Sequence, residues 1–178
     1  MSTPSNHTRY RRIAAVLAVL ILVAATAWYT RPVDLYALSP DLGEPQDLSC
    51  LLLRYTGDVA ENATRTLDLT AEDGEVYRQV LAQLEALRFR RFPLGELLQS
   101  LRDGQSRIIT PGDFDASYQL GDGTCYVLLQ CRMGWWEAVT YDSHGLRFRA
   151  ISLCGGDEAT ASLHASIWEL AHPTKSNP

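Results

Sequence analysis

The sequence predicts an α+β domain behind an N-terminal membrane-length helix, and three observations carry that prediction. Ile13 to Tyr29 is a run of 17 residues without a charge. Residues 114–120 alternate strictly between apolar and polar side chains, the period of a strand with one wet face. Residues 76–87 instead repeat their apolar side chains at helical spacing. Strands that follow one another through short turns, with helices set apart from them, make an antiparallel sheet covered on one face.

The opening run sits at the lower bound of about 17 to 25 apolar residues that a spanning helix needs. Arg9, Arg11 and Arg12 precede it, which keeps that end in the cytoplasm, and Trp28 and Tyr29 close it as interfacial aromatics. A cleaved signal peptide fits as well, with Ala25-Thr26-Ala27 as an A-x-A-like site. The length of the run and the bulky aromatics directly after the site favour an anchor. The expected organisation is a cytoplasmic tail at 1–12, a signal anchor at 13–29, a linker at 30–47, an exported domain at 48–172 and a disordered tail at 173–178. Three prolines and four acids between 30 and 47 suggest the linker.

Residues 31–178 hold 13 basic and 21 acidic side chains, a net charge of −8. So acidic a domain is a poor partner for nucleic acid or anionic lipid. Fifteen arginines against one lysine, Lys175, point to a GC-rich genome.

Along the domain, "CLLLRYT" and "RTLDLT" read as two strands. Thr70 and Asp73 form a capping box for a helix carrying Val76, Tyr77, Val80, Leu81, Leu84 and Leu87, with "RFRRF" placing cations at its C-terminal end. "PLGELLQSLRDG" suggests a short second helix. Asp122-Gly123 is a type I′ hairpin signature, and a two-residue loop there pairs Leu120 with Cys125 and Tyr118 with Val127. A turn at Met133-Gly134 yields a strand from Trp135 to Tyr141; the alternative is one long bent strand from 124 to 141. A three-residue loop at Ser143-His144-Gly145 then leads into "LRFRAIS", placing Trp136, Ala138, Leu146, Phe148 and Ala150 on the inner face. Asp157 can cap a last helix over 158–171 with Leu163, Ile167 and Leu170 inward. The order is ββ-α-ββββ-α.

Catalysis needs convergent polar groups. His7, His144, His164 and His172 show no metal spacing, and His164 reads as a solvated or capping residue. The acids Asp113, Asp115 and Asp122 read as the wet face of a strand, and Glu137 lacks a spaced partner. No cofactor motif is present, and a non-enzymatic role is expected. Four cysteines in an exported domain invite disulfides. Cys125 and Cys131, six residues apart on one strand face, are about 20 Å apart and cannot bond. In the meander Cys131 and Cys154 lie two strands apart, whereas in the long-strand alternative they are neighbours.

The candidate binding surface is the outer sheet face: Tyr126 beside Tyr141, Leu128 beside Val139, Arg132 beside Trp135, with Arg147 and Arg149 on the next strand. Aromatics with arginine are the material of binding patches. The competing reading is that another segment, 93–103, covers this face. An apolar N-terminal segment, a strand pair, a helix ending near "LRF" and a strand meander over about 48–155 resemble small membrane-anchored, exported α+β domains of unknown function in Gram-positive (Firmicutes-type) gut bacteria. The lipid-attachment cysteine that many of those carry is missing here, and the resemblance implies no reaction and no ligand. The expectation is a membrane-anchored extracytoplasmic domain, held by 13–29, that binds a protein or envelope component. The rivals are an envelope-acting enzyme and an immunity-like or inhibitory domain.

Overall fold

The computed structural model describes residues 6–56, 62–91, 113–132 and 135–173. It is an α+β chain: α1 (Asn6–Tyr29), α2 (Leu35–Leu38), β1 (Asp47–Arg54), β2 (Ala63–Thr70), α3 (Gly74–Ala86), β3 (Phe89–Arg91), β4 (Phe114–Gly121), β5 (Tyr126–Arg132), β6 (Trp135–Asp142), β7 (Gly145–Leu153), α4 (Gly156–Leu170) and β8 (His172–Pro173). The strands form one sheet in the order β3-β7-β6-β5-β4-β1-β2-β8, and every pairing is antiparallel.

Helix α1 contains a stretch, Tyr10–Tyr29, of 20 residues with mean hydropathy 2.0 and no burial against the rest of the chain. At 1.5 Å per residue it spans about 30 Å, the thickness of a bilayer's hydrocarbon core. It is therefore long and apolar enough to cross a membrane.

The sheet's inner face carries the core: Leu48, Cys50 and Leu52 of β1, Tyr118 and Leu120 of β4, Val127, Leu129 and Cys131 of β5, and Trp136 and Ala138 of β6. Helix α3 lays Tyr77, Val80 and Leu84 on it and α4 adds Leu163, Ile167 and Trp168. The Asp73 carboxylate accepts hydrogen bonds from Thr70 N–H at 2.6 Å and from its hydroxyl at 3.1 Å, so the expected box forms, around a single 3₁₀ turn that leads into α3.

Several expectations need correction. The segment expected as a linker is core: Val33, Leu35, Leu38 and Leu42 are buried. Val33 bonds Phe89 in both directions at 2.8 Å, so "RFRRF" contributes a strand rather than only a cationic helix end. His164 is not solvated but 1 % exposed, with its ring 5.8 Å from that of Trp136 and 5.6 Å from that of Phe114. Helix α4 starts at Gly156, behind Gly155 in the left-handed conformation, and Asp157 is not its cap.

Two hairpin registers also differ. Leu120 faces Val127 and Tyr118 faces Leu129, a slip of two residues from the expected pairing. The cause is Asp122, whose carboxylate accepts from Thr124 N–H at 2.8 Å and from Cys125 N–H at 2.7 Å, winding the loop around a side chain. Between β6 and β7, Asp142 faces Gly145, so the loop has two residues rather than three. A one-residue slip turns every side chain of a strand to the other face. Arg147, Arg149 and Ile151 therefore point inward, and Leu146 and Phe148 point out. Strands β5 and β6 pair with Arg132 opposite Trp135, which selects the meander over one long strand. Residues 133–134, the segment 93–103 and the suggested second helix lie outside the described residues.

Candidate functional site

The outer face of β5–β6–β7 is built in rows. Tyr126, Tyr141 and Leu146 share one row, and Leu128, Val139 and Phe148 the next. Arg132 and Trp135 face each other at the far end. The Tyr126 and Tyr141 rings stack 5.3 Å apart at 16°. Val139 is covered by its neighbours, but Trp135 (49 %), Tyr141 (45 %), Leu146 (51 %) and Phe148 (58 %) remain open. Apolar side chains this exposed, side by side on a rigid sheet, mark a surface of interaction when they form a contiguous patch. Towards β4, β1 and β2 the same face becomes mostly polar, with Gln119, Ser117, Ser49 and Asp68 around an exposed Leu51. Ser49 donates to the Asp68 carboxylate at 2.5 Å.

Of the six residues the sequence nominates, four share this face: Tyr126, Arg132, Trp135 and Tyr141. Arg147 and Arg149 do not. Arg147 donates to the Asp142 carboxylate, whose side chain is fully buried, and Arg149 Nη1 donates to the Leu38 carbonyl at 3.1 Å. With Arg91 Nη2, 2.5 Å from the Ala37 carbonyl, Arg149 caps the C-terminal end of α2, where carbonyls without a helical partner attract cations. Sequence reading missed Leu146 and Phe148 as surface residues. A signal was present: in "LRFRAISL" the apolar phase changes between Ala150 and Ile151, and only one half of the strand can face the core.

A shallow cleft of about 150 Å³ opens beside this face, between β6, β7 and the start of α4. Trp135, Trp136, Ser152, Asp157 and Thr160 are among its walls, and Asp157 is the single titratable side chain among the described residues that line it. Trp136 Nε1 donates to Thr160 Oγ1 at 3.1 Å, and that hydroxyl donates to Gly156 O at 3.0 Å, so both polar groups are already engaged. General acid–base chemistry wants a second group within hydrogen-bond reach, which this lining lacks. Glu137 stands on the outer face opposite Gln130 and Ala150. Among the described residues no three His, Cys, Asp or Glu side chains are grouped to hold a metal.

Fold and face together define an α+β domain with a membrane-length N-terminal helix and an exposed aromatic sheet face. Compared with protein-family models, curated proteins and solved structures, the chain matches none.

Proposed function

We propose that the chain is a single-pass membrane protein, N-terminus in the cytoplasm, whose extracytoplasmic domain binds a protein or other envelope component through the outer face of β5–β7 without catalysing a reaction. The observation that carries this reading is the pair of open apolar rows ending in Tyr141, Leu146 and Phe148. The anchor draws support from α1 itself. It runs unbroken through Ala25, Thr26 and Ala27 to Tyr29, and Thr26 Oγ1 donates back to Leu22 O at 2.8 Å, so the candidate cleavage site lies inside a hydrogen-bonded helix. Arg9, Arg11 and Arg12 on one side against Arg31 on the other orient it.

Two measurements test the reading. Full-length protein should stay in the membrane fraction after an alkaline wash with its N-terminus intact; a mature protein beginning at Trp28 would defeat the anchor. Partners retained by the wild-type domain from membrane extract should be lost with Phe148→Ser and with Trp135→Ala. Retention unchanged by both would defeat the surface.

A further inference from the structure

We propose that the domain rests edge-on against the bilayer, with the edge built by residues 31–33, β3 and β7 binding the phosphate groups of lipid headgroups through its arginines. This rests on the anchor reading above.

Reach comes first. Helix α1 ends at Tyr29 and Val33 is already bonded to Phe89, so three residues join the helix to the sheet edge. Fully extended, they span about 10 Å, comparable to the headgroup layer outside the hydrocarbon core. Direction comes next. Val33 runs antiparallel to β3, and β3 runs antiparallel to β7, so the incoming chain is parallel to β7. With Val33 level with Phe89 and Leu153, the chain before it enters from the side of Arg91 and Ile151. The electrostatics agree: burial, then Arg91 and Arg147, pull the Arg149 guanidinium below its usual range, and the Tyr29 hydroxyl acts on it in the opposite sense.

The domain is acidic as a whole, yet Arg31, Arg88, Arg90, Arg91, Arg147 and Arg149, six of its 13 basic residues, gather on this edge. Each carboxylate nearby is held by a hydrogen-bond donor, and that of Asp142 is neutralised by an arginine. Asp34 accepts from Ala37 N–H, Asp41 from Ser143 Oγ, Glu85 from the Tyr36 hydroxyl and Asp142 from Arg147. Because charges farther apart than about 8 Å are screened at physiological salt, a headgroup at this edge meets the arginines and not the remote acids. Donors remain to meet it. Arg31, Arg88 and Arg90 are exposed and present their guanidinium groups to solvent at this edge. The planar guanidinium fork matches a phosphate's oxygens. Insertion reads the unfolded chain, in which only Arg31 lies close to the outer end of the helix, so gathering the other five by folding does not oppose the orientation. An edge-on posture also leaves the aromatic outer face upright and accessible.

The test uses the full chain in nanodiscs of phosphatidylcholine and phosphatidylglycerol carrying a nitroxide on a fraction of the headgroups, read by amide NMR. Signals of 88–91 and 145–149 should be lost to paramagnetic broadening while those of β2 and α3 persist. Arg31→Gln/Arg90→Gln, which alters two exposed side chains, should weaken the broadening at 145–149 while 88–91, held near the headgroups by the three-residue link, change less. Uniform broadening across the sheet, or broadening indifferent to the double variant, overturns the proposal. Inorganic phosphate added to the chain in neutral detergent should leave those signals in place; a saturable shift there would assign a discrete anion site and overturn the bilayer as ligand. A chain that never enters the nanodisc defeats the anchor reading itself, a failure separate from the others.

Discussion

The imidazole of His164 lies 6.0 Å from the ring of Tyr118, and neither His164 Nε2 nor the Tyr118 hydroxyl has a hydrogen-bond partner among the described residues. Both sit in an apolar box completed by Trp136 and Phe114. Burial pushes the histidine pKa down from 6.5 to about 4 and the tyrosine well above its usual range. A charged imidazole in that box would lose its hydration, and the attraction of the Asp115 carboxylate offsets only part of that loss.

Folding stability should therefore fall with acid through this one residue. In the unfolded chain His164 takes up a proton near pH 6.5, and in the folded chain only near 4, so the unfolded state binds more protons between those values. The histidine's contribution is fully present above pH 6.5 and is lost as pH falls towards 4. The size is about 3 kcal/mol, at about 1.36 kcal/mol per pKa unit. Urea melts at pH 7, 5.5 and 4.5 check it, with His164→Phe as the comparison. If the variant loses stability as steeply as the wild type over that range, the histidine is not the source.

Neighbouring tryptophans should answer differently to truncation. Trp135→Ala removes a half-exposed ring and should change stability by no more than about 1 kcal/mol. Trp136 is 4 % exposed and stacks on Tyr118 at 6.1 Å, so Trp136→Ala should cost about 3–5 kcal/mol. Thermal melts of the two variants decide it. A large loss at Trp135 would mean that the outer face is covered and unavailable to a partner.

How far the fold was legible follows from these strands. Alternation in 114–120 and in 126–131 correctly separated wet from dry faces, because a period of two survives a slip of two residues: Leu120 meets an apolar partner whether that is Cys125 or Val127. The β6–β7 loop was not legible in the same way, since a change of one residue exchanges the faces. Leu146 and Phe148 looked like core on hydrophobicity alone. What decides against them is Ile151 and Leu153, which bury instead, and α2, whose carbonyls recruit Arg91 and Arg149 inward. That helix lies in a stretch whose prolines and acids resembled a linker. Asp34 is its N-cap, accepting from Ala37 N–H at 2.8 Å, and a four-residue helix is too short to show a period.

Asp122 holds the β4–β5 loop, so its replacement should be felt at a distance. Besides the loop amides it accepts from Gly43 N–H at 2.7 Å, tying the segment before β1 to the hairpin. Those hydrogen bonds hold its carboxyl far below the usual range, so their contribution is present at neutral pH and fades only in strong acid. Asp122→Ala should cost about 2 kcal/mol, the scale of losing charge-assisted hydrogen bonds, and Asp122→Asn should recover part of it. Urea unfolding measures both. A neutral alanine variant would mean that Gly123, at φ 90°, shapes the loop without help.

The cysteines put the sheet register itself at risk. Cys131 faces Trp136, Trp136 faces Ile151, and Cys154 lies three residues further along the chain. Two interstrand spacings are about 10 Å, beyond the roughly 7 Å within which a disulfide's Cα atoms must lie. Cys50 faces Tyr118 on β4, which in turn faces Leu129 of β5, so it too is two strands from Cys131. Its thiol is pushed up to about 12, chiefly by burial, which holds it in the unreactive protonated form. Cys154 alone among the four is partly exposed. Alkylation of the native domain should therefore label Cys154 first and leave Cys50 and Cys131 untouched. Unfolding without reductant should then expose these two as unlinked thiols, read by peptide mass spectrometry. A linked Cys131–Cys154 peptide would be incompatible with Cys131 opposite Trp136 and Trp136 opposite Ile151. It would also dissolve the rows Tyr126–Tyr141–Leu146 and Leu128–Val139–Phe148, because the same pairing of β5, β6 and β7 creates them, and the proposed binding face would go with them.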